Sequence, residues 1–377
     1  MTSPAQSRAG GQRAVRSVLM RGGTSKGLFF HDADLPPEGP ERDRLLVRAL
    51  GSPHALQLDG LGGGTSSTSK VMVVHRPTSS GEIPYAFGQV SIDSARVDWS
   101  GNCGNLTTAV AAFCVDEGLA PSDGSVAVVR LRNVGTGLAV EAHVEVDDGV
   151  SRADGDFRTP GVPFAGSPIR TLYLDPCGGV LGSAFPTGAL REELALPGGT
   201  VEVSILDITH PLVVARAADL GVDVMTPPDE LNTDAELLAR LEELRAAASV
   251  RVGAAADAAS AKETSPIVPR LALVEAPVLP NDDLQALGVS MGRVHRGLMM
   301  TAALALGGAA ELGGTIVDTV RRGKPGTGGL RICTPMGSVD VLAELADGGL
   351  RAVGVTRTAR RLMAGEVYVP DDGGRHG

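Results

Sequence analysis

The sequence predicts an α+β protein of two similar lobes, each a curved, mostly antiparallel sheet wrapped around one buried helix. Three observations carry that prediction. Two segments, Asn105–Glu117 and Arg296–Leu312, are apolar on most faces, and a helix apolar all round needs cover on every side. The stretches that follow them are alike: LRNVGTGLAVEAHVEV after the first parallels LRICTPMGSVDVLAEL after the second, so internal duplication is the economical account. Finally, 377 residues exceed one ordinary domain and suit two. The lobes are expected at 13–165 and 166–372, with a site in the cleft between them.

The elements follow in order. A strand is read at Ser17–Phe30, a helix at Glu41–Leu50, and strands at Lys70–Arg76, Tyr85–Ile92 and Ala95–Trp99, before the first buried helix. Alternation in VAVVRLRNV and LAVEAHVEV gives two more strands, and Ser151–Gly166, rich in Gly, Pro and Asp, reads as the linker. Beyond it come strands at Arg170–Leu174 and Thr200–Val214, an amphipathic helix at Asp229–Ala247 and a strand at Leu271–Val274. The second buried helix precedes strands in GGLRICTPMGSVDVLAELADGG.

Composition narrows the function. Hydrophobic residues at 43% and charged residues at 21% describe a globular chain, and no apolar run reaches the ~18 residues of a membrane span. The opening MTSPAQSRAGGQRAVRSV has no apolar core, so a disordered lead-in and a cytoplasmic location are expected rather than export. A net charge of -10 with 3% aromatic residues argues against nucleic acid, which needs a basic surface and stacking platforms. The four cysteines are scattered singly and the histidines form no HExxH or HxH, so reduced thiols and no metal site are expected. A homo-oligomer is compatible with the sequence, which does not set the oligomeric state.

Three segments depart from ordinary turn composition: Met20–Gly27 (MRGGTSKG), Gly62–Lys70 (GGGTSSTSK) and Gly101–Asn105 (GNCGN). Glycine lets a ligand reach the backbone, and hydroxyls with free N–H groups bind carboxylate oxygens. Three polar turns are the plain alternative. Lys26 and Lys70 follow their hydroxyl residues instead of preceding them, so neither run has P-loop order, and no nucleotide or other cofactor is expected. Cys103 falls at the start of the first buried helix, where the positive end of the dipole favours a thiolate or a bound carboxylate; the alternative is a buried structural thiol. Cys114, Cys177 and Cys333 have apolar or turn neighbours and are expected to do no chemistry. Lys70 opens the apolar strand Val71–Val74; partial desolvation there favours its neutral form and a general-base role, against the alternative of a solvated edge-strand lysine.

With these residues assembled, the sequence resembles the 2-methylaconitate cis-trans isomerase (PrpF-type) family, within the diaminopimelate-epimerase-like fold. The matching marks are MRGGTSKGLFF, LDGLGGGTSSTSKV, DWSGNCGN, AFCVDEGL, FPTG at Phe185–Gly188 and DITHPLVVARAADLG, with Gly314-Thr315 after the second helix. Such proteins include 4-oxalomesaconate tautomerase, 3-methylitaconate Δ-isomerase and aconitate Δ-isomerase. The resemblance implies that Lys70 matches the family's base and Cys103 the cysteine facing the substrate, as a helper or as an essential group. There are two departures: Thr107–Phe113 stands where a Gly-Val-Gly-Pro-Phe run is usual, one or two turns from Cys103 and so bearing on the substrate, and His54 stands where an Asp is usual.

The chemistry so implied is an allylic proton shift on a small unsaturated di- or tricarboxylate, whose dienolate charge preplaced donors must meet. Expected substrate contacts are Arg21, Gly23, Thr24, Ser25, Thr65, Ser66, Ser67, Ser69, Asn102, Gly104, Asn105, Thr187, Gly314 and Thr315, with Arg21 as a bidentate carboxylate clamp. One rival is a two-base epimerase, which would need a second thiol where this chain has Arg296–Thr301. The other is a non-catalytic carboxylate-binding protein, whose cheapest sign would be the loss of Lys70.

Overall fold

A computed structural model describes residues 8–9, 11–99, 101–326 and 328–370. Chain contacts divide it into two units, Met1–Thr171 with Arg357–Gly377, and Leu172–Thr356.

In the first unit, β1 (Gln12–Gly22) pairs antiparallel with β2 (Ser25–His31), which runs parallel to β3 (Lys70–Val74). β3 pairs antiparallel with β4 (Ile83–Val90), and β4 with the short β5 (Val97–Asp98). β6 (Val126–Asn133) lies parallel to β4 and forms a hairpin with β7 (Ala139–Asp147). The helix α1 (Pro40–Ala49) contributes Leu45, Leu46 and Val47 to a core with Leu28, Phe30, Val71 and Val73. The helix α2 (Gly104–Asp116) is buried from Leu106 through Val115 and packs on β1, β2, β6 and β7. Its Ala, Val and Phe leave no polar face, so burial on all sides is the only stable place for it.

The second unit repeats this pairing order. After β8 (Glu192–Leu196), β9 (Gly199–Ile208) pairs antiparallel with β10 (His210–Arg216), which runs parallel to β11 (Arg270–Glu275). β11 pairs antiparallel with β12 (Leu284–Ser290), and β12 with β13 (Arg293–Val294). α3 (Ala235–Arg251), capped by Asp234 accepting from the Leu237 N–H, covers a core of Leu237, Leu241, Leu244 and Leu273. The buried helix α4 (Met300–Leu312) precedes the short α5 (Ile316–Val320). β14 (Gly329–Thr334) is parallel to β12 and antiparallel to β15 (Gly337–Ala346). Each unit thus holds the same sequence of pairing senses around one buried helix, as a duplicated chain would. Glycines admit this packing in α4: a Cβ on Gly307 would stand 2.3 Å from Val341 Cγ1.

Several expectations need correction. Ser17–Phe30 is two strands, β1 and β2, broken at Gly23, whose φ is +48°. Thr200–Val214 is likewise the hairpin β9–β10, turning at Thr209 with φ +59°. Polar residues mark both turns, Arg21–Lys26 in the first and Asp207–His210 in the second, between flanking apolar runs. The expected lead-in runs through Val18, but Gln12 already begins β1; residues 1–7 lie outside those described. Arg296–Met299 precedes α4 and is not helical. β12 has no counterpart among the expected elements, nor do the last two strands, β16 (Gly349–Arg357) and β17 (Ala359–Pro370). The expected 166–372 lobe would include β17, which instead pairs with β1 from Gln12↔Pro370 to Gly22↔Ala359 and puts 357–377 with the first unit. Among the described residues no helix is long and apolar enough to cross a membrane.

Candidate active site

The three glycine- and hydroxyl-rich loops of the first unit come together. The β1–β2 turn reaches the start of α2 through Asn105 Nδ2, which donates to Thr24 Oγ1 at 3.1 Å, and through Cys103 Sγ, 3.7 Å from Ser25 Oγ. It reaches the third loop through the Lys26 N–H, which donates to Ser67 O at 2.9 Å. Glycine makes the approach possible. A Cβ on Gly22 would lie 2.3 Å from Asn105 O, and one on Gly27 2.6 Å from Lys70 O. No side chain fits at either position.

Lys70 begins β3 and is 9% exposed. Its Nζ donates to Gln89 Oε1 at 2.6 Å and lies 5.0 Å from the centroid of the Phe87 ring. Gln89 stands directly opposite Lys70 in the β3–β4 register, and its Nε2 donates to Ser69 O at 2.8 Å and Ser66 O at 3.2 Å. The amide is therefore held by the loop and presents one oxygen to the lysine. Phe87 also borders the cysteine loop: a Cβ on Gly101 would lie 3.4 Å from its Cε1. Lysine and cysteine loop thus share one aromatic wall.

Cys103 is the N-cap of α2, with extended φ and ψ, and Gly104 opens the helix. The loop before it is fixed by Asn102, whose Oδ1 accepts from the Tyr85 hydroxyl at 3.1 Å and Asn133 Nδ2 at 3.0 Å, with Thr107 Oγ1 3.2 Å away. Tyr85 is fully buried, and burial pushes its hydroxyl up from the ordinary range, so it remains a donor. Burial also raises the thiols of Cys114, Cys177 and Cys333, Cys177 to about 11 with Asp207 and Asp175 adding to the effect. All three shifts favour the protonated thiol.

The other expected contacts divide. Thr65 Oγ1 lies 2.8 Å from Thr68 Oγ1 and 3.0 Å from Ser67 Oγ, a hydroxyl cluster in the exposed part of the loop. Ser69 is buried, donates to Val90 O at 2.8 Å and accepts from Gln57 Nε2 at 2.7 Å, so its hydroxyl builds the loop instead of facing a ligand. Arg21 directs Nη1 at Thr358 O, 2.7 Å, and Gly23 O, 3.2 Å, so one of its terminal nitrogens is engaged by main chain and not available to a clamp. Thr187, Gly314 and Thr315 belong to the second unit. There Ser204 joins their two turns, donating to Leu190 O at 2.5 Å and accepting from the Ile316 N–H at 2.9 Å. The Thr187 hydroxyl donates to Glu192, and the Thr315 N–H donates to Asp318 Oδ2 at 3.1 Å. Gly314 and Thr315 follow the C-terminal end of α4, about 20 Å of helix from Met300 at its start.

Sequence reasoning missed Gln57, Tyr85, Phe87, Gln89 and Asn133. Gln89 was reachable in principle, since it pairs with Lys70, but only with the β3–β4 register in hand. Among the described residues no group of three or more His, Cys, Asp or Glu is placed to hold a metal.

Comparison with known proteins gives a consistent picture. The model of the family described as PrpF protein matches residues 12–370. The 3-methylitaconate isomerase of Eubacterium barkeri is 36% identical over 371 residues, covering 95% of this chain and 98% of its own. The 2-methyl-aconitate isomerase of Shewanella oneidensis is 38% identical, covering 95% of this chain and 98% of its own. A crystal structure of methylitaconate-delta-isomerase superposes with a TM-score of 0.85 at 36% identity, over 96% of each chain. A hydroxyproline epimerase from Agrobacterium vitis has a TM-score of 0.56 at 13% identity, over 97% of this chain and 94% of its own, which establishes a shared fold.

Proposed function

The chain belongs to the PrpF family and is an isomerase, and on that premise we propose that its substrate is a small unsaturated di- or tricarboxylate, on which it moves an allylic proton and with it the double bond. The observation that carries the proposal is the meeting of a buried, positioned Lys70 with the Cys103 end of α2 across Phe87. A carbon next to both an alkene and a carboxylate is weakly acidic. Lys70 takes its proton and leaves an extended dienolate. Returning that proton to the far carbon of the allyl system shifts the double bond; returning it to the same carbon after rotation gives the cis-trans product. No atom is gained or lost.

One base completes this cycle, so Cys103 is assigned to steadying a carboxylate or assisting transfer. Ser25, Thr24, Asn105 and the N–H groups at the start of α2 supply donors where the dienolate charge gathers. A two-base epimerase would need a second acid at the matching end of α4, where Met299 caps the helix. The polycarboxylate and the reduced, unpaired thiols both suit the cytoplasm.

Incubation in deuterium oxide with aconitates, methylaconitates, itaconates and oxalomesaconate tests the proposal. The expected result is deuterium at one allylic carbon of one compound, together with a moved or rotated double bond. Exchange in none of them would refute the substrate class. Exchange at a saturated stereocentre, with inversion, would favour epimerisation.

A further inference from the structure

We propose that Gln57 is a positioning residue for the reaction: its buried amide holds Ser69, and through Ser69 the segment that carries Lys70, an inference that rests on the reading of Lys70 as the base.

The turn that leads into the hydroxyl loop is built inside out. Leu56 and Leu58 are 69% and 80% exposed, while Gln57 between them is 1% exposed. Leucines in solvent around a buried amide invert the usual preference, and the buried polar group is the feature that calls for a reason. The backbone is strained to place it: φ at Gln57 is +46°, in the left-handed region that residues other than glycine seldom adopt. Glycines leave the room for it. A Cβ on Gly62 would overlap Gln57 Oε1, and one on Gly51 would stand 2.7 Å from Gln57 O.

The side-chain amide gathers three parts of the chain. Nε2 donates to Ser52 Oγ at 2.8 Å and to Ser69 Oγ at 2.7 Å, and Oε1 accepts from the Gly64 N–H at 3.0 Å. A backbone N–H can only donate, so Gly64 fixes which way the amide faces. Both amide hydrogens are then committed, one to each serine.

Ser69 passes this constraint to the base. Its hydroxyl donates to Val90 O at 2.8 Å, and its carbonyl accepts from the Val90 N–H at 3.1 Å and from Gln89 Nε2 at 2.8 Å. Gln89 Oε1 in turn accepts from Lys70 Nζ. The residue before Lys70 is thus gripped by two amides, Gln57 at its hydroxyl and Gln89 at its carbonyl. Misplacing a reacting group by about 1 Å costs on the order of 10²-fold in rate, so loosening Ser69 reaches the chemistry. Ser52, on the other side of the Gln57 amide, has no such path to Lys70.

The test compares Gln57→Ala, Ser69→Ala and Ser52→Ala in the full chain by two measurements. Labelling with acetic anhydride, read by peptide mass spectrometry against the exposed Lys262, reports access to the Lys70 amine, and steady-state kinetics report the reaction. Gln57→Ala and Ser69→Ala should each speed labelling of Lys70 at least about fivefold and lower kcat at least about tenfold, with KM changed less than about twofold. The double variant should be no more than about twofold slower than the poorer single one, because both changes act on one path. Ser52→Ala should stay within about twofold of wild type in both measurements, although it removes an equivalent hydrogen bond. Should Gln57→Ala not fold, the two serine variants carry the comparison, since a general loss of packing would move them alike. Equal effects of the two serine variants, or labelling and kcat unchanged in Gln57→Ala, overturn the proposal. If the panel is isomerised and neither measurement responds to Gln57, the positioning role fails and the substrate class stands. If labelling responds to Gln57 and Ser69 but not to Ser52, and no compound of the panel is isomerised, Gln57 positions Lys70 and the substrate class fails.

Discussion

Lys70 Nζ is held 2.6 Å from Gln89 Oε1, its direct neighbour across the β3–β4 pair. The Gln89 amide is itself fixed by the carbonyls of Ser66 and Ser69, so the loop that carries the hydroxyls also aims the lysine. Gln89→Leu should lower kcat about tenfold or more with the fold intact by circular dichroism, since a misplaced base loses much of its advantage. A kcat in Gln89→Leu equal to that of wild type would mean that Gln89 does not position the base.

Lys70 and Cys103 should differ in kind. An allylic shift needs one base that removes and returns the proton, so Lys70→Ala should cost at least ~10²-fold in kcat, whereas Cys103→Ser should keep measurable turnover. Steady-state kinetics on the identified substrate decide it. Turnover abolished by Cys103→Ser and largely kept by Lys70→Ala would reverse the two roles.

Gly22→Ala should destabilise the first unit by about 1–3 kcal/mol, the usual cost of overpacking, since its Cβ would meet Asn105 O at 2.3 Å and Ala109 Cβ at 2.9 Å. Gly365→Ala, with nothing within 4 Å of its Cβ position, should stay within about 0.5 kcal/mol of wild type. Urea unfolding of both variants makes the comparison; equal midpoints would contradict the close packing of β1 on α2.

His210 titrates far from neutrality: burial and then the neighbouring Arg270 hold it down at about 4 against an ordinary 6.5. Its Nε2 donates to Ile267 O at 2.8 Å, which offsets part of that lowering. The folded state therefore resists a proton that the unfolded chain accepts. Its contribution is complete above pH 6.5 and is lost as pH falls toward 4, by up to about 3 kcal/mol. Denaturant midpoints at pH 7 and 4.5 should separate less in His210→Gln than in wild type. Equal separation would show that another group governs this window.

Much of the site is legible in the residues themselves. The sequence places the first buried helix at Asn105–Glu117, and it spans Gly104–Asp116, because apolarity on every face is a property of the segment itself. From that boundary Cys103 follows as the residue at the helix start, and the small and hydroxyl residues of the three loops mark themselves by composition. Pairing is not legible in the same way. The breaks at Gly23 and Thr209 fall in polar residues that do not say which strands then pair, and β17 lies at the far end of the chain from its partner β1. The same gap conceals Gln89 opposite Lys70, gives Ser69 and Thr187 to other protein groups, and leaves open which of Arg360 and Arg361 stands beside Arg21. Helix burial and loop chemistry are local and were determined by the sequence alone. Register joins residues distant in the chain, and a slip of one position turns a side chain to the other face, so only the tertiary structure decided which of these groups meet.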